Sequence, residues 1–287
     1  MQTPKLEFHG ETCHACLHQQ SVRLASRLIP DASKRQDLIG EIEDMLVDAF
    51  ESEDIWGIHR DIYAKIYAEA GNPDPFLEIK RQSTREMIAL YPTLKEQVSQ
   101  SPDPLDLAVR YAIAGNVIDF GVPHMLDLKH ELEFVSERPL AINHIHELRR
   151  QLSHAESLLY LGDNAGETVL DRLLIETMGL PTHFIVRGGP VINDATEDDA
   201  REAGLHEVAT LVSSGSTHAG TVLQDCSDEV QALFADAPII ISKGMGNFES
   251  LMDQTRPIFF LLKVKCDVVA NHLQANVGDS ILLAANV

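Results

Sequence analysis

SLLYLGDNAGETVLDRLLIETMG, residues 157–179, marks a change in the character of the chain. It opens on SLLYLG (157–162), too uniformly apolar for a half-exposed strand, and breaks into the polar GDNAGET. It then resumes as VLDRLLIETMG (169–179), with apolar residues at helical spacing and a closing Gly. The same order returns downstream. HFIVRG (183–188), EVATLVSS (207–214), PIIISKG (238–244) and PIFFLLKVK (257–265) read as strands, and ATEDDAREAG (195–204) and DEVQALFADA (228–237) as helices. This alternation predicts an α/β fold, a three-layer α/β/α arrangement on a mainly parallel, Rossmann-like sheet, in the C-terminal half.

Upstream the period is helical. Leu38, Ile42, Met45, Leu46 and Ala49 form one apolar stripe, and Ile55, Ile58, Ile62 and Ile66 another. NPDPF (72–76) and SPDPL (101–105) each set an Asp before a Pro, the chemistry of a helix start. The expected organisation is a helical bundle region over residues 1–150 and an α/β domain over 151–287, the part read below for its chemistry. No flexible linker marks the seam at 121–150, so the two parts are expected to pack tightly.

With 44% hydrophobic residues among 287, the chain can bury a substantial core. A formal charge of -21 argues against any sequence-independent grip on nucleic acid and against an anionic membrane surface. A small phosphorylated ligand stays compatible, because a divalent cation and a few cationic side chains reverse the field inside one cleft. No apolar run reaches the roughly 18 residues of a membrane span, and MQTPKLEFHGETCHAC lacks a secretory signal's apolar stretch, so a cytoplasmic location is expected. Four cysteines without an export signal do not suggest a disulfide framework.

In parallel α/β sheets ligands lie beyond the carboxyl ends of the strands, so the residues following each strand are read for chemistry. Asp163, Asn164, Gly166 and Glu167 follow the first; Arg187, Gly188, Asn193, Asp194 and Thr196 follow the second. The hard oxygens of Asp163, Asn164 and Asp194 suit Mg²⁺ or Mn²⁺, which keep positions open for water and phosphate. Any one such Asp or Asn is as well explained as a cap or turn former; the set, at consecutive strand ends, is not. Ser214 and Thr217, in SSGSTHAGT, offer donors for phosphate oxygens, and Lys243, Asn247 and Glu249, in KGMGNFE, add a cation and polar contacts.

These segments carry a resemblance. LGDNAGETVLDRLL, VRGGPVINDATEDDA, SKGMGNFESL and LLKVKCDVVA look like the successive motifs of the DUF89 family, the metal-dependent damage-control phosphatases that include the ARMT1-like proteins. AGNVIDFG (114–121) and the CHACLHQQ start extend it over nearly the whole chain, and the CxxC resembles the stand-alone prokaryotic branch. The RTxK signature of the eukaryotic branch is not found near Lys243, so that branch's sugar-phosphate preference and carboxyl methyltransferase activity do not transfer. The resemblance implies a cation held by Asp163, Asn164 and Asp194, with Lys243 meeting the substrate phosphate. It also brings Asn116 and Asp119 toward the cleft from the helical part, where helix packing is an equal alternative.

Cys13 and Cys16 could share a second metal with Cys266, or all three could be reduced structural thiols; Cys226 reads as incidental. His144 and His146 fall on different sides of a helix and make poor joint ligands, and His124 reads as a packing or solvated residue. His218, in the Ser/Gly-rich loop, is the one histidine placed for substrate contact.

The expected function is hydrolysis of small phosphomonoesters, such as sugar phosphates or nucleotides, with Mg²⁺, Mn²⁺, Co²⁺ or Ni²⁺ as cofactor. Glu167 is a candidate for orienting water or supporting the metal. Attack by water and attack by Asp163 through an aspartyl-phosphate both remain open. The alternatives are a Rossmann-like S-adenosylmethionine-dependent methyltransferase, disfavoured because LGDNAGE lacks GxGxxG spacing, and a non-catalytic metal- or metabolite-binding protein.

Overall fold

A computed structural model describes residues 10–52, 55–115, 132 and 134–287. Five helices come first: α1 (Glu11–Leu28), α2 (Ala32–Ser52), α3 (Ile55–Ala70), α4 (Leu77–Gln100) and α5 (Pro104–Gly115). The two Asp-Pro segments stand where helices begin. Asp74 Oδ1 accepts the Phe76 N–H ahead of α4, and Asp103 Oδ1 accepts the Asp106 N–H in the first turn of α5. Ile42, Ile62 and Ile66, from the two apolar stripes, are fully buried in one cluster with Leu17, Ala25 and Tyr67.

A seven-stranded sheet follows: β1 (Ile142–Asn143), β2 (Leu158–Leu161), β3 (Thr182–Val186), β4 (Thr210–Ser213), β5 (Ile240–Lys243), β6 (Ile258–Lys263) and β7 (Ser280–Ala285), in the order β1-β7-β6-β5-β2-β3-β4. Neighbours are parallel except β6 and β7. The expected three-layer, mainly parallel architecture is therefore the observed one. The edge pair was not read from the sequence: β7 lies antiparallel to β6, and β1, ahead of residue 150, pairs with β7.

Between the strands run α6 (Ile145–Leu152), α7 (Thr168–Met178), α8 (Glu197–Glu202), α9 (Asp228–Asp236), α10 (Met245–Leu251) and α11 (Asp267–Leu273). Helix α7 ends where its sequence indicated, with Gly179 left-handed at φ 68° and its N–H returned to Ile175 O. One face of the sheet packs on α4, α5 and α7, the other on α9, α10 and α11, so strands such as β6 are buried on both sides and read as continuous apolar runs.

The helical region also grips the sheet. Val191, Ile192 and Ala219, from loops at the strand ends, belong to its cluster. Lys80, on α4 and almost wholly buried, sets Nζ 2.8 Å from both Asp74 and Asp199. Asp199 closes the capping box that starts α8, accepting from the Thr196 N–H and hydroxyl. Among the described residues no helix is long and apolar enough to cross a membrane.

Candidate active site

Chain order reverses between β2 and β5: the chain leaves β2 toward β3 and β4 on one side, then crosses to β5 and β6 on the other. Open α/β sheets have a crevice at such a point. Asp163 and Asn164 follow β2, Arg187 follows β3, and Lys243 ends β5, so four sequence-selected residues meet at the crevice. Asp194 joins through backbone. It bridges to Asn164, the Ala195 N–H donates to Asp163 O at 2.8 Å, and the Arg187 N–H to Ala195 O at 2.9 Å.

Beneath them lies a buried ionic layer. Lys243 Nζ sits 2.5 Å from Asp171 Oδ1 and 3.4 Å from Glu167 Oε1, all three residues fully enclosed. Burial alone would press the Lys243 ammonium down, but Asp171 and Glu167 outweigh it and hold the proton on. For Asp171 burial prevails and raises the carboxyl despite Lys243 and the Tyr160 hydroxyl, which donates to Oδ1 at 2.7 Å. Glu167 also accepts from Asn164 Nδ2 at 3.5 Å, and that amide donates to Asp163 Oδ2 at 3.1 Å.

Arg187 organises the opposite wall. Its Nε donates to Asp194 Oδ2 at 2.6 Å, Nη2 to Asn247 Oδ1 at 3.2 Å and Nη1 to the Thr221 hydroxyl at 3.4 Å; Asp163 Oδ1 lies 3.8 Å from Nη2. Asn247 is engaged at both ends of its amide, since Nδ2 donates to Gly162 O and Lys243 O while Oδ1 also takes the Thr221 hydroxyl at 2.8 Å. The Gly188 N–H donates to Ser216 O at 2.8 Å, and a Cβ there would overlap the Gly215 backbone. Ser214 folds its hydroxyl back on Ser216, and Thr217 stands half-buried beside Gly189.

The donor set fits a divalent cation. Among the described residues, Asp163, Glu167, Asp171 and Asp194 are four buried carboxylates beside two buried cations, Arg187 and Lys243, a formal excess of two negative charges. Such an excess is costly in a low-dielectric site unless a cation balances it. Among the described residues, the buried Asp171 Oδ2 finds no hydrogen-bond partner. Gly244, at φ 79°, leaves the space in which the Asp163 carboxylate stands; a Cβ there would overlap Oδ2.

Residues 10–281 match the family model of the damage-control phosphatase ARMT1-like domain. The chain belongs to this family. It is 34% identical to a damage-control phosphatase of Pyrococcus horikoshii, over 93% of this chain and 94% of that one. To a damage-control phosphatase of Archaeoglobus fulgidus it is 32% identical, over 94% and 96%. A crystal structure of a DUF89 family protein from Pyrococcus horikoshii superposes with a TM-score of 0.86 at 32% identity, covering 96% of this chain and 98% of that one. A damage-control phosphatase domain spanning residues 10–281 supports the phosphatase reading over the Rossmann-like methyltransferase alternative.

Asn116, Asp119 and His124 fall outside the described residues. Asn193 is buried, with its carbonyl accepting the Ala165 N–H. Glu249 is within electrostatic reach of Cys13 and Cys266, and burial pushes its carboxyl up to about 7. Burial first, then Glu249, Cys266 and Cys16, raise the Cys13 thiol to about 11. Cys266 caps α11 by accepting the Val269 N–H. Among the described residues no three His, Cys, Asp or Glu side chains are gathered to hold a metal ion, at the cysteines or in the cleft, so a cation beside Asp163 and Asp194 would draw on the Asn164 amide and on water or substrate for its remaining ligands. His218 Nε2 lies 2.7 Å from Asp225 and Nδ1 3.1 Å from Trp56 O, joining α3 to the Ser/Gly-rich loop. His144 accepts the Ala284 N–H at Nδ1, anchoring β7.

Reasoning from sequence missed Asp171 and Thr221. Asp171 had a signal: it is a carboxylate on the apolar face of a helix, one turn beyond Glu167. Thr221 had none, because only the packed fold brings it to Arg187 and Asn247.

Proposed function

We propose that this chain is a metal-dependent phosphatase that hydrolyses small phosphomonoesters, such as sugar phosphates or nucleotides, with a divalent cation held by Asp163, Asn164 and Asp194. The observation that carries this reading is the convergence at the switch point of the Asp163 and Asp194 carboxylates on Arg187, with the Asn164 amide donating to Asp163. Mg²⁺, Mn²⁺, Co²⁺ and Ni²⁺ all suit such oxygen donors. When bound, the cation supplies Lewis-acid polarisation of a phosphoryl oxygen and charge neutralisation.

The chain's own residues do the rest. Arg187 orients Asp194, and through Asn247 and Thr221 it fixes that wall before substrate arrives. Glu167 braces Asn164 from below. Lys243, enclosed with Asp171 and Glu167 beneath the cleft, supplies positive charge under the phosphoryl group. The Gly188 backbone, Thr217 and the loop shaped by Ser214 border the substrate's place. A water oxygen attacks phosphorus as the P–O ester bond breaks, and the alcohol leaves with a proton. Attack by the Asp163 carboxylate, followed by hydrolysis, is the other route.

The test is phosphate release from p-nitrophenyl phosphate and a panel of sugar and nucleotide phosphates, using chelated protein reconstituted with each cation. Release that requires metal and disappears in Asp163→Ala and Asp194→Ala is the expected result. Equal release with and without metal, or activity surviving both substitutions, overturns the proposal.

A further inference from the structure

The loop carrying Asp194 is bent against the preference of its own sequence. The Asp194 N–H donates to Val191 O at 3.0 Å, closing a four-residue turn, and Ile192 at its second position has φ 44°. Turns with positive φ there ordinarily place Gly at that site, because a side chain crowds the backbone, and a β-branched residue is the least suited. Ile192 is nevertheless held, its side chain packed into the cluster of the helical region.

One hydrogen bond completes the hold. The Ile192 N–H donates to the phenol oxygen of Tyr67, on α3, at 2.9 Å. Tyr67 is buried and stacks on Tyr63. Burial first, then the negative charges of Asp74 and Asp194, pushes its hydroxyl well above the usual tyrosine range, so it stays protonated. A neutral phenol accepts the amide without adding charge beside Asp194.

We propose that Tyr67 is a positioning residue for Asp194: its hydroxyl oxygen holds Ile192 in the strained turn that delivers the Asp194 carboxylate to the metal site. This rests on the metal-site reading above. It gives the helical region a part in the chemistry of the sheet without contact with the reacting atoms.

The experiment pairs amide hydrogen exchange with calorimetric Mn²⁺ titration of the full chain and of Tyr67→Phe, Ile192→Gly, the double variant and Asp194→Ala. In Tyr67→Phe the Ile192 amide is expected to exchange about tenfold faster, with or without metal. Its Mn²⁺ affinity is expected to fall about three- to tenfold, the worth of one hydrogen bond. Adding Ile192→Gly should restore most of that affinity, because glycine adopts the turn unaided. A Tyr67→Phe protein that binds Mn²⁺ like the parent, or a double variant no better than the single, overturns the positioning role. Should Tyr67→Phe unfold, Ile192→Gly alone decides, since relieving the strain must leave Mn²⁺ affinity at or above the parent's. If Asp194→Ala binds Mn²⁺ normally, the metal-site reading fails, and the positioning role with it. The exchange result still reports separately whether Tyr67 holds the turn.

Discussion

Gly244→Ala tests the architecture of the site with one methyl group. Gly244 has φ 79° and ψ 168°, a region that is essentially closed to other residues and costs them about 1 to 3 kcal/mol. A Cβ at this position would lie 2.5 Å from the Asp163 Cγ. Carbon atoms settle near 3.5 to 4.0 Å, so the carboxylate must withdraw by about 1 Å. A magnesium–oxygen bond of about 2 Å tolerates only a few tenths of an ångström, so Asp163 is lost as a ligand. Affinity should fall by about 100-fold or more.

The assay is urea unfolding with chelator and with Mn²⁺ at about 100 times the parent's dissociation constant. For the parent, metal should add about 2.7 kcal/mol. A 100-fold weaker variant has its dissociation constant at that same concentration, and metal should add only about 0.4 kcal/mol. An increment in Gly244→Ala equal to the parent's would show that Asp163 is not a metal ligand, or that the loop after β5 moves freely.

Two further outcomes are expected. Lys80→Met leaves Asp74 and Asp199 facing each other in a largely buried site, and should cost about 3 to 5 kcal/mol in urea unfolding, most of it recovered by adding Asp199→Asn; a loss below about 1 kcal/mol would make the clamp between α4 and α8 dispensable. Glu249, raised from 4.5 to about 7, binds more protons folded than unfolded between those values, so stability falls as pH rises through that window. Between pH 4 and pH 8, Glu249→Gln should gain on the parent by up to about 3 kcal/mol, less what solvent reaching the half-buried side chain takes back, and parallel stability curves would refute the assignment.

The core strands and the helices that follow them were legible in the sequence because burial on both faces leaves an uninterrupted apolar run, and α7 announced its end with Gly179. The edge was not. Two residues of β1 carry no periodicity, and SILLAA in β7 does not reveal that it runs antiparallel. Asp163, Asn164, Asp194 and Lys243 were legible as residues because strand ends in a parallel sheet collect function, whatever the details of packing.

What the sequence by itself determined is the set of groups: hard oxygen donors and a lysine at consecutive strand ends, in a chain whose two halves differ in hydrophobic period. Only the tertiary structure decided how those groups are used. It sank Lys243 onto Asp171, bound Arg187 to Asp194, placed Glu249 near the cysteines, and set Tyr67 on the backbone of a strained turn more than a hundred residues away. The reason is physical: hydrophobic period and capping act over a few residues, whereas charge balance and strain are settled by whichever distant atoms the packed core brings within about 3 Å.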